Sequence, residues 1–312
     1  VYVNLVGGND SIIFDGWSNV FDAGGNLVAQ LADFEEDGVL IDIDNPNGPM
    51  RKTAVSDEEQ VFGALVLGIR DYLAKTGFDR AAIGLSGGID STVVAVLATR
   101  ALGPGNVLGV SMPSPYSSEG SINDARTLAE NLGIEFRVIP IERIYATTLE
   151  TLLDLVVCND PDMASENIQA RIRGMILMAL SNKHGHLVLA TGNKSEMATG
   201  YCTLYGDMVG GLAVIGDVPK TLVYRIAEYV NESEGRELIP RSVIEKPPSA
   251  ELAPGQKDTD ALPPYEILDP IVTAYVEERI EPDAIVEKGF ERAVVEDVVR
   301  RINRNEYKRM QA

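Results

Sequence analysis

The stretch Ala81-Ala82-Ile83-Gly84-Leu85-Ser86-Gly87-Gly88-Ile89-Asp90-Ser91-Thr92 decides the fold. A short apolar run feeds the turn Ser-Gly-Gly-Ile-Asp-Ser, and an apolar-periodic stretch from Thr92 to Leu102 follows it. That order predicts a strand, an anion-binding loop and a helix. Two adjacent glycines allow a tight turn and a close backbone approach to a ligand, with no Cβ in the way. The first N–H groups of the helix lack intrahelical partners and sit at the positive end of its dipole. Ser86 and Ser91 add hydroxyl donors, and Asp90 is a carboxylate that can hold a divalent cation against phosphate oxygens. The loop reads as an anion cradle with a metal ligand attached.

The terminal lysine of G-x-x-x-x-G-K-[ST] is absent, and the glycine spacing differs from G-x-G-x-x-G. The string S-G-G-I-D-S instead resembles the pyrophosphate-binding loop of the ATP pyrophosphatases, or PP-loop enzymes. These cleave ATP between the α and β phosphates and adenylate a substrate. Outward from the loop, strands and helices alternate. Strands are expected at 81–85, 106–111, 134–139 and 187–191, and helices near 91–102, 119–132, 145–157 and 164–183. Such alternation predicts a doubly wound α/β fold with a parallel sheet covered on both faces. Ligands of these sheets gather at the carboxyl ends of the strands, where Ser86 to Ser91 falls. Lys246 to Pro264, rich in Pro and charge, reads as a mobile loop, and helices near 264–280 and 290–304 finish the chain.

Upstream the pattern changes. Val1 to Leu5 reads as a strand, Gly7 to Asp10 as a turn, and Ile12 to Phe14 as a second strand. Phe21 to Asn26 carries a hairpin signal, with strands expected at Leu27 to Leu31 and Val39 to Ile43. Asn45-Pro46-Asn47-Gly48-Pro49 reads as a linker. Ser56 and Glu59 then form a capping box opening a helix that Gly77 closes.

The 312 residues carry 27 Lys and Arg against 47 Asp and Glu, a formal net charge of −20. Such a surface repels nucleic acid and anionic lipid, so neither is expected as a partner. It also makes each cation inside a motif informative. No apolar run reaches the length of a membrane span, and no signal-peptide pattern opens the chain. Cys158 and Cys202 stand apart without C-x-x-C spacing, which suits the reducing cytoplasm, the expected location. They read as small buried residues.

Four further segments carry chemistry. Glu166 to Arg173 opens a helix on which Asn167 and Arg171 share a face while Arg173 points elsewhere; read alone, this is an ordinary charged helix start. The apolar run Leu187 to Thr191 ends in Gly192-Asn193-Lys194-Ser195-Glu196, polar residues just past a strand end. Pro219-Lys220 begins a helix, a cation at the unfavourable dipole end, which either faces an anion or is simply solvated. Asn305 to Arg309 is a basic patch or a dangling tail. His184 and His186, the only histidines, read as surface turn residues.

In order and spacing, G-L-S-G-G-I-D-S, E-N-I-Q-A-R-I-R, A-T-G-N-K-S-E, Y-G-D-M-V-G-G, K-P-P-S-A-E-L and N-E-Y-K-R resemble one PP-loop family. It is the NAD synthetases, in their glutamine-dependent two-domain form. The resemblance implies that residues 1–48 are the last strands of a nitrilase-type glutaminase domain, whose catalytic cysteine, glutamate and lysine lie upstream, and that 49–312 form the synthetase domain. It implies ATP contacts from Gly84, Leu85, Ser86, Gly87, Gly88, Ile89, Asp90, Ser91, Thr191, Lys220 and Ser249, with Asp90 and Lys220 acting in catalysis. Asn167, Arg171, Glu196 and Lys308 would hold deamido-NAD, and Asp90 with Glu196 would bind Mg2+. The expected reaction adenylates the nicotinate carboxylate and then amidates it with ammonia, drawn from glutamine in a full-length parent. A homodimer or higher homo-oligomer is expected. A GMP synthetase would share Ser86 to Ser91 but show a different carboxylate-recognition segment, and a tRNA-modifying enzyme should be basic. A non-catalytic ATP-binding module would bind ATP without releasing pyrophosphate.

Overall fold

The computed structural model describes residues 1–9, 12–153 and 162–310, which form two compact units, Val1–Asp79 and Arg80–Ala312. In the first, β1 (Val6–Asn9) pairs antiparallel with β2 (Ile12–Asp15), and β3 (Asn19–Phe21) pairs with β4 (Leu27–Gln30) through the expected hairpin. The first strand lies at 6–9, not 1–5, so Gly7-Gly8-Asn9 belongs to the ladder rather than to a turn. The glycines there serve close approach. Gly8 N–H donates to Asp71 Oδ2 at 2.6 Å, and a Cβ on Gly7 would stand 3.2 Å from that oxygen. The strand expected at 39–43 does not form; it pairs with no strand among the described residues, and Leu40 is 99% exposed. Helix α1 (Asp57–Thr76) carries Asp71 and has the caps that the sequence announces. Ser56 accepts from Glu59 N–H, and Gly77 is left-handed at φ 80°.

The second unit holds a five-stranded parallel sheet in the order β7-β6-β5-β8-β9. Its elements run β5 (Ala81–Gly84), α2 (Ile89–Leu102), β6 (Val107–Ser111), α3 (Glu119–Leu132), β7 (Glu135–Val138), α4 (Glu142–Thr151), α5 (Met163–His184) and β8 (Leu187–Ala190). Then follow α6 (Lys194–Thr199), β9 (Leu212–Ala213), α7 (Lys220–Glu234), α8 (Arg241–Glu245), α9 (Tyr265–Val272), α10 (Pro282–Glu287), α11 (Arg292–Arg304) and α12 (Glu306–Arg309). All five residues of β6 and all four of β8 are buried, as a sheet covered on both faces requires. Alternation along the strands turns Ala82, Leu108, Val110 and Val188 into one apolar cluster with Tyr145, Ile172 and Leu177 from α4 and α5. Helix α2 is buried at every position from Ile89 to Ala98 except Asp90, and packs between the sheet and α7.

The doubly wound sheet agrees with expectation, and the differences are local. Helix α4 starts at 142, ahead of the expected 145, and its expected end at 157 lies outside the described residues. The helix expected over 264–280 is broken. Pro270 lacks an N–H within α9, and a π turn at Thr273–Glu277 follows, with Glu278 N–H donating to Thr273 O. Lys246 to Pro264 has little regular structure, but it is stitched down: Gln169 Nε2 donates to Leu252 O at 2.9 Å. Among the described residues no helix is long and apolar enough to cross a membrane.

Candidate active site

Strand order changes direction between β5 and β8, and the loops leaving their carboxyl ends face each other there. A cavity of about 280 Å³ opens at this point. From the β5 side it is lined by Gly84, Leu85, Ser86, Gly88, Ile89, Asp90 and Ser91; from the β8 side by Thr191 and Glu196.

The Ser86–Ser91 loop holds its own shape. Gly88 N–H donates to Ser86 Oγ (3.1 Å), Ser91 Oγ donates to Gly88 O (3.1 Å), and the two hydroxyl oxygens are 3.1 Å apart. Gly87 has φ 77°, and a Cβ there would fall 2.1 Å from Ser121 O, so only glycine fits. Its carbonyl accepts from Lys246 Nζ at 3.1 Å, which also donates to Ser121 Oγ at 2.7 Å. Glu251 Oε1 accepts from Ser121 Oγ (2.5 Å) and Ser118 Oγ (3.1 Å) at the start of α3. The K-P-P-S-A-E-L segment thus pins the loop from outside.

Asp90 joins the two halves of the switch point. Its Oδ1 accepts from Asn193 Nδ2 at 2.9 Å, and its Oδ2 accepts from Lys220 Nζ. Glu196 Oε1 stands 3.3 Å from the same ammonium. Lys220 is only 2% exposed, so the solvated-lysine reading is overturned. The cation at an unfavourable helix start is held by carboxylates from two other elements. Desolvation opposes its charge, but Asp90 and Glu196 outweigh that and raise the ammonium pKa. Burial acts the other way on Glu196, pushing its carboxyl up to about 8, with Lys220 lowering it and Asp90 adding to the rise. Asp258, 3% exposed, is likewise raised by burial and accepts from Tyr265 OH at 2.8 Å.

Arg173 points away from Asn167 and Arg171, as the helix spacing implies, and what it points into is the cavity. Its Nε donates to Met112 O at 2.9 Å, and desolvation lowers its guanidinium to about 10. Nothing in its spacing on α5 announced this, since the cavity wall is supplied by β6 residues far away in sequence. Asp207 also faces the cavity, where the protein around it raises its carboxyl to about 6. Ser249 lines the cavity too.

Asn167, Arg171 and Lys308 do not line the cavity, yet all three reach one loop, Gly200 to Leu204. Thr203 Oγ1 donates to Asn167 Oδ1 (2.8 Å), and Arg171 Nε donates to Leu204 O (3.2 Å). Lys308 Nζ donates to Gly200 O (2.6 Å) and Cys202 O (2.7 Å). The basic C-terminal patch is therefore docked rather than dangling, with Arg309 on Ala198 O at 2.8 Å and Asn305 on Thr199 O at 2.9 Å. Tyr201 and Cys202 of this loop, with Gly206 and Asp207 just beyond it, line the cavity. Burial pushes the Cys202 thiol up to about 12, which makes it a poor nucleophile. Cys158 lies outside the described residues. His184 and His186, with ring centroids 6.2 Å apart, are not among the residues lining the cavity.

The NAD synthase family profile matches residues 61–312. The chain belongs to that family. It is 49% identical to the glutamine-dependent NAD(+) synthetase of Thermotoga maritima over its whole length, covering 60% of that protein. It is 50% identical to the enzyme of that name from Synechocystis sp., covering 56% of it. Among solved structures it is similar to the glutamine-dependent NAD+ synthetase of Acinetobacter baumannii in complex with ADP, at 42% identity and a TM-score of 0.76. That match covers all of this chain and 57% of that one. The chain thus spans under two thirds of the length of these relatives.

Proposed function

We propose that this member of the family makes NAD by adenylating and then amidating deamido-NAD. The observation that carries the reading is the buried Lys220 ammonium shared by Asp90 and Glu196 across the loop Ser86–Ser91. A carboxylate oxygen is a poor leaving group, so it must be activated. In the proposed sequence a nicotinate carboxylate oxygen attacks the α-phosphorus of ATP and pyrophosphate leaves. Ammonia then attacks the acyl carbon, and AMP departs with the carboxylate oxygen. The loop N–H groups, Ser86 and Ser91 would hold the departing pyrophosphate, with Lys220 beside it. Gly84 to Ser91, Thr191, Lys220 and Ser249 form the ATP side. Glu196 would face deamido-NAD together with the loop held by Asn167, Arg171 and Lys308. No protein nucleophile is needed, so catalysis is positioning plus electrostatics.

Asp90 and Glu196 are hard oxygen donors on opposite sides of the switch point, a set that suits Mg2+ carrying waters and substrate phosphates. When bound, the ion would neutralise phosphate charge. Nitrogen would arrive as ammonia, and the relatives' names point to glutamine as its source in their longer chains. The rest of the reading places residues 1–48 as terminal strands of a nitrilase-type domain and the protein in the cytoplasm. It also makes the protein a homodimer or higher homo-oligomer, and Met175 and Met178 stand exposed one turn apart on α5.

The test is an end-point assay with deamido-NAD, ATP, Mg2+ and ammonia. NAD, AMP and pyrophosphate should appear together, and only with deamido-NAD present. ADP and phosphate would remove the reading; ATP binding without pyrophosphate release would favour the non-catalytic module.

A further inference from the structure

Asp269 is a buried carboxylate that the proposed chemistry leaves unused. It lies on α9, is 4% exposed, and is not among the cavity-lining residues. Ser195 Oγ donates to its Oδ1 at 2.5 Å, and Thr221 N–H and Oγ1 donate to its Oδ2 at 2.8 and 2.7 Å. Ser195 Oγ in turn accepts from the backbone N–H of Lys220 at 2.9 Å.

The sequence neighbours of these partners give the arrangement its meaning. Ser195 immediately precedes Glu196 on α6, and Thr221 immediately follows Lys220 on α7. One side chain therefore ties together the two backbone turns that present the ammonium and the carboxylate of the site, 3.3 Å apart at their tips. Helix α7 begins after Pro219, which gives no side-chain cap, so Asp269 caps it from another helix. A cap alone would need only Thr221. The bond to Ser195 adds a link to α6, and through it to the Lys220 N–H.

We infer that Asp269 is a positioning residue, setting the spacing of Lys220 and Glu196 against Asp90 without touching substrate. The inference rests on the reading under Proposed function. It matters because a misplacement of about 1 Å in such a site lowers turnover on the order of 100-fold.

The test uses the full 312-residue chain with Asp269→Asn, Asp269→Ala and Ser195→Ala. Steady-state kinetics give kcat and the KM for ATP, and acylation by an N-hydroxysuccinimide ester, mapped by peptide mass spectrometry, reports Lys220. In the parent chain Lys220 should resist labelling. In Asp269→Ala and Ser195→Ala it should label at least about tenfold faster, with kcat down about 10- to 100-fold and KM moved less than about threefold. Asp269→Asn keeps the shape and one acceptor oxygen, so it should fall between. A folded variant with Lys220 still protected, or with kcat within about twofold of the parent, overturns the inference. Should Asp269→Ala fail to fold, Ser195→Ala, which deletes one hydroxyl, decides by the same two readouts. A parent chain that makes no NAD would sink the functional reading, and the labelling would then decide the tether by itself.

Discussion

At the scale of single residues, the site turns on how three ionisable groups share one buried place. Lys220 Nζ has two carboxyl groups within reach, and Asn193 fixes both. Its Nδ2 donates to Asp90 Oδ1 at 2.9 Å and its backbone N–H to Glu196 Oε2 at 3.4 Å, while Asp90 holds the ammonium more closely than Glu196 does. Asp90→Asn keeps the shape and removes a charge, so the ammonium loses its better partner. We expect turnover to fall about 100-fold or more, with the far-UV circular dichroism spectrum unchanged. Unchanged turnover and Mg2+ dependence would take Asp90 out of the chemistry. Glu196 makes a separate claim about pH. Its carboxyl is raised by burial from an ordinary 4.5 to about 8. Between those values the native state holds a proton that the unfolded chain has released, so stability is full below the unfolded pKa and is lost as pH rises through the folded one. Urea melts without Mg2+ should show stability declining from about pH 5 to pH 8, by at most about 1.4 kcal/mol per pH unit from this group. Glu196→Gln cannot titrate and should flatten that decline. An unchanged slope would mean that the proton resides elsewhere.

At the scale of elements, the strand–loop–helix from Ala81 to Leu102 was legible in the sequence because its signals are local. An apolar run, two glycines and an apolar-periodic helix fix one another within about twenty residues. Gly87→Ala tests that unit directly. Its left-handed φ of 77° and the 2.1 Å approach to Ser121 O leave no place for a methyl group, and the obstacle is backbone. The variant should lose about 2 kcal/mol or more of stability in urea melts and most of its turnover. A stable, active alanine variant would mean that the loop can rearrange. Lys220, Arg173 and Asp258 were harder to read. Lys220 acquires its partner from 130 positions away, and Arg173 sits against a carbonyl 61 positions away. No periodicity encodes such pairs; only the closed sheet brings them together. The loop Gly200 to Leu204 lies between these cases. Asn167, Arg171 and Lys308 were singled out only by the family resemblance, and their meeting on one loop was not legible at all. If that loop serves deamido-NAD, Arg171→Ala and Lys308→Ala should each raise the KM for deamido-NAD about tenfold or more, since a hydrogen bond from a charged donor contributes about 1.5–3 kcal/mol. The KM for ATP should move far less. Equal losses for both ligands would assign the loop to the ATP side or to the fold.

At the scale of the whole molecule, a chain of net charge −20 is read as a binder of two polyanions. Local charge does not remove the conflict. The cavity is lined by Asp90, Glu196, Asp207, Glu251 and Asp258 against Arg173, Lys220 and Lys246. Burial raises the carboxyls of Asp207 and Asp258 and pushes that of Glu196 up to about 8, so part of the acidity at Glu196 is muted near neutral pH. Outside the cavity ion pairs offset part of the acidity, but the net charge of −20 remains, and its field opposes the approach of any phosphate ligand. Salt screens such repulsion over a Debye length of about 30 Å at 0.01 M and about 8 Å at 0.15 M. Close hydrogen bonds within the site are screened much less. Raising ionic strength from about 0.01 to 0.15 M at fixed Mg2+ should therefore increase kcat/KM for deamido-NAD and leave kcat nearly constant. The same series run with Lys246→Gln, which removes one of the three lining cations, should start from a lower kcat/KM and climb more steeply. A kcat/KM that instead falls with salt would show that the few cations at the cavity govern encounter. The acidic surface would then have no bearing on how the ligand arrives.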